Sequence, residues 1–138
     1  MRNMDNVPLD MVNLAKEIIK NSYAPYSKYN VASVVRTDNN NVYWGVNIEN
    51  ASYGLTMCAE RVAIFNAISH GEKKIKEILV AVNSEEPAIP CGACLQVLSE
   101  FGDDDTQIYS ISLKSNKSKF YKLKDLLPYR FSSKNLKI

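Results

Sequence analysis

The chain is poor in the materials that staple, anchor or coat. It has three Cys in 138 residues, which excludes a disulfide-stapled mini-protein, and an odd count leaves one thiol over in any disulfide scheme. Five Gly and five Pro exclude a collagen-like repeat, and no long low-complexity run or linker interrupts the chain. No window approaches the ~20 apolar residues of a membrane span. The opening segment is broken by Asp5, Asp10, Lys16 and Glu17 and lacks the apolar stretch of a secretory signal. Charge is nearly balanced: 17 basic residues face 15 acidic ones, for a net +2. A nucleic-acid coat or a polybasic membrane anchor needs a larger excess. There is a single His, His70.

What remains is ordinary globular material, 46% hydrophobic and 23% charged. A chain of this size removes about two-thirds of its unfolded surface from water, enough to hold a core without covalent staples. Residues 1–138 are expected to form one domain, soluble and cytoplasmic. In a reducing compartment the three Cys are ligands or thiols before they are disulfides.

Hydrophobic spacing predicts a first amphipathic helix over 8–22, opened by Pro8 and broken by Tyr23-Ala24-Pro25-Tyr26-Ser27. Two β-rich runs, Val31–Arg36 and Val42–Ile48, flank Asp38-Asn39-Asn40-Asn41, residues that tolerate left-handed turns, and so read as a hairpin. Thr56 is the expected N-cap of a second helix that Gly71 ends. Ala59, Val62, Ala63, Phe65, Ala67 and Ile68 surround that helix, which is expected to be largely buried. Glu77–Val82 reads as a buried central strand, the segment after Pro90 as another buried helix, and Gln107–Ser112 as a strand. Lys119–Leu123 is a weaker strand, and Lys124–Leu127 a helical turn before Pro128. A hairpin followed by alternating strands and helices implies a three-layer α/β/α sandwich with a mixed, mostly five-stranded sheet.

All three Cys stand at expected helix starts: Cys58 opens one helix, and Cys91 and Cys94 open another. A Cys-x-x-Cys pair there can aim both sulfurs at one ion, and the positive helix N-terminus favours thiolate. Taken alone, Cys58 is as readily an inert buried thiol, and Cys-Gly-Ala-Cys also fits a redox pair. Together, beside Pro90, they read better as metal ligands. His70 lies 12 residues beyond Cys58 on the same helix, about 18 Å along its axis, so it cannot return to a metal at that helix's start. It is expected to serve the helix C-terminus instead. Three ligands and an open fourth position are the pattern of a catalytic zinc. Glu60, two residues after Cys58, is placed to pass beside the metal and carry protons. Arg61 follows it. Three thiolates and a divalent ion leave a net negative charge, which a guanidinium beside the sulfurs offsets.

Thr56-Met57-Cys58-Ala59-Glu60-Arg61 with Pro90-Cys91-Gly92-Ala93-Cys94 resembles the zinc nucleoside deaminases, whose site includes a three-Cys form and a Glu that does not bind zinc. Ala24-Pro25-Tyr26-Ser27-Lys28-Tyr29, Asn47-Ile48-Glu49-Asn50-Ala51-Ser52-Tyr53 and Leu126-Leu127-Pro128 followed by Phe131 extend the likeness to the small cytidine deaminases. The resemblance spans roughly 10–131.

The resemblance implies hydrolytic deamination of cytidine and deoxycytidine, one Zn2+ per chain and a homotetramer with active sites near subunit boundaries. It implies ribose recognition by Asn47 and Glu49, and base contacts from Glu60 and the backbone of Ala59. Tyr29 matches an aromatic against the base or sugar, and Phe131 one lent across a subunit boundary. Two positions depart from the family: Leu95 stands where many members have Arg, removing a second compensating cation, and Ala32 where Gly is common. Two rivals stand beside this reading. One is a blasticidin-type deaminase; the other is a non-catalytic zinc module that mediates association. Deaminases of nucleic acid more often carry His-x-Glu at the first ligand position, so Cys58 points to a free nucleoside.

Overall fold

The computed structural model describes residues 6–136. Their elements run α1 (Leu9–Ile18), β1 (Val31–Thr37), β2 (Val42–Val46), α2 (Ala59–Ser69), β3 (Ile75–Val82), α3 (Gly92–Phe101), β4 (Gln107–Ser112), β5 (Ser118–Lys122) and the short α4 (Leu123–Leu126). The sheet order is β2-β1-β3-β4-β5. The β3–β4 pair is parallel, and its α3 crossover lies between the two strands in sequence. The other pairs are antiparallel, so the sheet is mixed and five-stranded, as expected.

Side chains alternate across the pleat and give the sheet two apolar faces. Ala32, Val34, Leu79, Ala81, Tyr109 and Ile111 meet Met11, Val12, Ala15 and Ile18 of α1. Val35, Ile78 and Ile108 meet Ala63, Ile64 and Ala67 of α2 and Leu95 and Leu98 of α3. One helix covers one face and two cover the other: the three layers read from the sequence. Ala32 is completely buried in the α1 face.

Several boundaries differ from the expectations. The first helix ends at Ile18, and Ile19–Asn21 tighten into a 3-10 turn before the Pro25 segment. β2 ends at Val46, because Ile48 leaves the hairpin to bridge Tyr23 and Met57. β3 starts two residues early, at Ile75. Leu123 leaves β5 and opens α4, where its side chain is fully buried. The hairpin turn carries Asn40 at φ 63°, a left-handed position that Asn tolerates.

The N-cap of α2 is Cys58, not Thr56: Cys58 is extended at φ −71° and ψ 148°, and its carbonyl accepts the Val62 N–H at 3.2 Å. Thr56 is drawn away, its Oγ1 accepting the Asn50 N–H at 3.2 Å. At the other end Gly71 takes φ +91°, the C-terminal role read from the sequence. The helix is not buried all round. Ala59, Glu60, Ala63, Ile64 and Ala67 are buried, whereas Phe65 is 42% exposed. One flank of α2 lies tight on β2, where a Cβ at Gly45 would come within 2.5 Å of the Ala63 nitrogen and 2.7 Å of Val62 Cβ. A larger residue at Gly45 would push α2, and Cys58 with it, off the sheet.

This architecture brings two helix N-termini together. α2 and α3 lie on the same sheet face, and both begin beside the end of β3, near Val80 and Val82. Ligands of α/β sheets gather at the carboxyl ends of strands for this reason: that is where helix starts converge.

Candidate active site

Cys58 and Cys91 are the N-cap residues of α2 and α3, and Cys94 sits one turn into α3. The Cys58 and Cys91 sulfurs are 3.9 Å apart, and those of Cys91 and Cys94 are 3.6 Å apart. All three lie within 4.8 Å of one another. Zinc bonds of ~2.3 Å at tetrahedral angles set sulfurs ~3.8 Å apart, so the spacing fits one Zn2+. Among the described residues this is the one cluster of three or more such groups close enough to share an ion. No disulfide joins them; all three are free thiols.

Electrostatics within the cluster are uneven. In the protein alone Cys58 is drawn down to about 5, chiefly by a hydrogen bond from the Cys94 thiol and then by the Arg61 guanidinium. Cys94 is pushed up, because it donates that bond and is buried. A thiolate is therefore already favoured at the edge of the cluster, on the side where Arg61 Nη2 approaches Cys58 Sγ at 3.6 Å. The Arg61 Nε is buried with no hydrogen-bond partner in the structure, so the guanidinium is held toward sulfur and carbon. Leu95 is 4% exposed and packs into the core with Val35, Ile64 and Ile78, leaving Arg61 to carry the compensating charge.

A cavity of about 200 Å3 opens beside the sulfurs, lined by Cys58, Cys91, Ala59, Glu60, Tyr29 and Asn47 together with Val31, Thr56, Met57, Val80, Val82, Ala88 and Ile89. Glu60 is 5% exposed. Burial pushes its carboxyl up to about 7, and the negative charge of Cys58 adds to the shift. An acid so placed can hold or release a proton near neutral pH. The valines, Ala88 and Ile89 were not singled out in the sequence. They carry no chemistry, and as strand and loop residues they look like any other core.

Asn47 is 8% exposed. Its Oδ1 accepts the Val31 N–H at 3.0 Å and the Ser22 hydroxyl, while its Nδ2 donates to the Tyr29 carbonyl at 2.7 Å. The oxygen's two lone pairs are used, and one N–H is left to donate. Glu49 is not in the cavity wall. It faces an adjoining hollow of about 380 Å3, with Tyr26, Ser27 and Tyr53, that shares Thr56 with the metal cavity. Phe131 lies apart from both. It is 57% exposed, with its carbonyl accepting from Gln96 Nε2 of α3 at 3.0 Å. His70 sits at the far end of α2, its Nδ1 2.8 Å from the Asn66 carbonyl, at the C-terminal station expected for it.

Fold and site define a class: an α/β sandwich holding a three-sulfur metal site at two helix starts, with a buried acid in the adjoining cavity. The chain belongs to the cytidine and deoxycytidylate deaminase family; the pattern of that family's zinc-binding region matches residues 6–110. A cytidine deaminase of Sporosarcina psychrophila is 38% identical over 122 residues, covering 88% of this chain and 89% of its own. One of Mycoplasma pneumoniae is 39% identical over 130 residues, 92% and 96% of the two chains. The crystal structure of cytidine deaminase from Burkholderia pseudomallei superposes with a TM-score of 0.83 at 35% identity, covering 89% of this chain and 98% of that one.

Proposed function

We propose that this chain hydrolyses cytidine and deoxycytidine to uridine and deoxyuridine, releasing ammonia, with one Zn2+ held by Cys58, Cys91 and Cys94. The observation that carries the reading is Glu60, 5% exposed, in the wall of a largely apolar cavity that also contains two of the sulfurs. A closed structural zinc site has no use for such an acid; a hydrolytic site needs one. When bound, zinc makes a water molecule acidic enough to attack near neutral pH. Glu60 accepts a proton from the attacking water, passes it to N3 of the base, and delivers a proton to the departing amine. The C4–O bond forms first; the proton that Glu60 delivers to the amine is the second one from the attacking water, taken from the new C4 hydroxyl, and the C4–N bond then breaks so that ammonia and the uracil product leave. Val80, Val82 and Tyr29 wall the base and exclude bulk water, and the Ala59 backbone contacts its edge. Arg61 offsets the charge of the thiolates.

The sugar is placed past Thr56 toward the adjoining hollow. Asn47 retains one N–H to donate there, and Glu49 supplies an acceptor. The relatives are named cytidine deaminases, which favours cytidine over a blasticidin-type substrate.

The proposed working unit is a symmetric homotetramer in which Phe131 closes a neighbouring subunit's site. Supporting it, Phe131, Tyr53, Leu55 and Phe65 are 57%, 78%, 67% and 42% exposed on the single chain, apolar surface that a subunit contact would cover. Three free thiols suit a reducing cytoplasm and a role in pyrimidine salvage. No described helix is long and apolar enough to cross a membrane, and the substrate is a free nucleoside, not nucleic acid. Ammonia release on adding cytidine to zinc-loaded protein tests the activity. Release from neither cytidine nor deoxycytidine would end the proposal.

A further inference from the structure

The turn between α1 and β1 does more than connect them. The Lys28 N–H closes onto the Ala24 carbonyl at 3.0 Å, and Lys28 takes the left-handed φ of 60°. This geometry points three donors at one carboxylate. Glu49 Oε1 accepts the N–H groups of Tyr26 at 3.0 Å and Ser27 at 3.1 Å, and Oε2 accepts the Ser27 hydroxyl. The same Ser27 oxygen accepts the Tyr29 N–H at 3.0 Å, and the Tyr29 carbonyl accepts Asn47 Nδ2 at 2.7 Å. Ser27 thus bonds both Glu49 and the Tyr29 backbone, whose carbonyl in turn holds Asn47.

A carboxylate has about four lone-pair sites. Two on Oε1 and one on Oε2 are taken by the turn, so one acceptor site on Oε2 is left. Its direction is set by the Ser27 proton on the same oxygen. We propose that Ser27 is a positioning residue: it aims the remaining Oε2 lone pair of Glu49 at the 2′- or 3′-hydroxyl of the nucleoside. The proposal rests on the reading of Glu49 as a sugar contact. The Ser27 hydroxyl is also the leading cause holding Glu49 below the usual carboxylate range, with the Lys28 charge contributing least. Ser27 and Glu49 lie away from the sulfurs and Glu60, so the role predicts an effect on sugar binding and none on the proton steps.

The test compares cytidine with 2′,3′-dideoxycytidine, which lacks the 2′- and 3′-hydroxyls and keeps the 5′-hydroxyl, on zinc-loaded protein. Ser27→Ala should raise KM for cytidine about tenfold, the weight of one hydrogen bond to a charged group, with kcat near wild type. The KM or inhibition constant of the dideoxynucleoside should stay within about twofold, because the aimed bond is not made there. Ser27→Thr, which keeps the hydroxyl, should restore cytidine binding. Glu49→Ala is the control. If it fails to separate the two nucleosides, the sugar role of Glu49 is wrong and the proposal falls with it. If it separates them while Ser27→Ala shifts both alike, or neither, the sugar role stands and the positioning role is overturned. The ratio of the two nucleosides reads only folded protein, so a stability change in a variant does not mask either result.

Discussion

The metal end of the cavity and its loop end are built differently. At the metal end every functional group hangs on the first turn of a helix: Cys58, Ala59, Glu60 and Arg61 on α2, Cys91 and Cys94 on α3. Both helices are clamped to the same sheet face by Ala63, Ile64, Leu95 and Leu98. At the loop end Tyr29 and Glu49 sit on connections, and Asn47 lies just past the end of β2. They are held by hydrogen bonds to Ser22, Ser27 and backbone, with Tyr29 still 39% exposed. On the proposed roles, chemistry that tolerates little displacement stands on packed elements, while recognition stands on loops tied by polar contacts. The metal end draws its three sulfurs and Glu60 from one chain; the loop end is open and flanked by exposed aromatics.

The comparison breaks first at the ligands. Cys94→Ser should lose zinc, and activity with it, because Cys94 is buried beneath the other two and no described side chain replaces it. Elemental analysis and ammonia release are the readouts; an active, zinc-free variant would refute the metal assignment.

Glu60→Gln should keep zinc and fold while lowering kcat by ~10²–10⁴-fold or more, since an amide cannot carry the proton through several transfers. A kcat within a few-fold of wild type would remove Glu60 from the chemistry.

The same carboxyl should mark stability. Its folded value is about 7 against an ordinary 4.5. Between those values the folded protein holds a proton that the unfolded chain has lost, so this group's contribution falls as pH rises through the window. Cys58, drawn down to about 5, acts in the opposite sense from there upward. The difference in urea stability between metal-free wild type and Glu60→Gln reads the carboxyl together with its coupling to Cys58, and should move against wild type by about 3 kcal/mol across the window. A flat difference would mean Glu60 is not desolvated.

The smallest effect belongs to the aromatic proposed to close the loop end from a neighbouring chain. Phe131→Ala should raise KM for cytidine, by roughly 1–3 kcal/mol of lost stacking, with zinc content unchanged. Mixing Phe131→Ala with Glu60→Gln chains should restore activity, because some sites in mixed tetramers draw both intact residues from different chains. No recovery despite proven subunit exchange would place the whole site in one chain and erase the contrast.

Much of the metal end was legible from spacing, because helical geometry is local. Cys91 and Cys94 three residues apart, and Glu60 two after Cys58, fall within one turn of a helix start whatever the rest of the chain does. The sheet was legible for a similar reason: strands buried on both faces read as apolar runs, and Gln107–Ser112 was bounded as it stands in the structure. The cap of α2 was not. Thr56 has the better capping side chain, but tertiary contacts give its oxygen to Asn50 and leave the start to Cys58.

Sequence alone picked out the three Cys, the acid two residues after Cys58 and the order of elements, since each rests on residue type and local pattern. Tertiary structure alone decided that sulfurs 33 residues apart meet at 3.9 Å. It also decided that Glu60 is buried enough to hold its proton near neutral pH, that Val80, Val82 and Ile89 become a cavity wall, and that Ser27 ties Glu49 to Tyr29. The reason is that desolvation and enclosure depend on all the neighbours a group acquires in space, and those neighbours come from β1, β3 and loops far away in the chain.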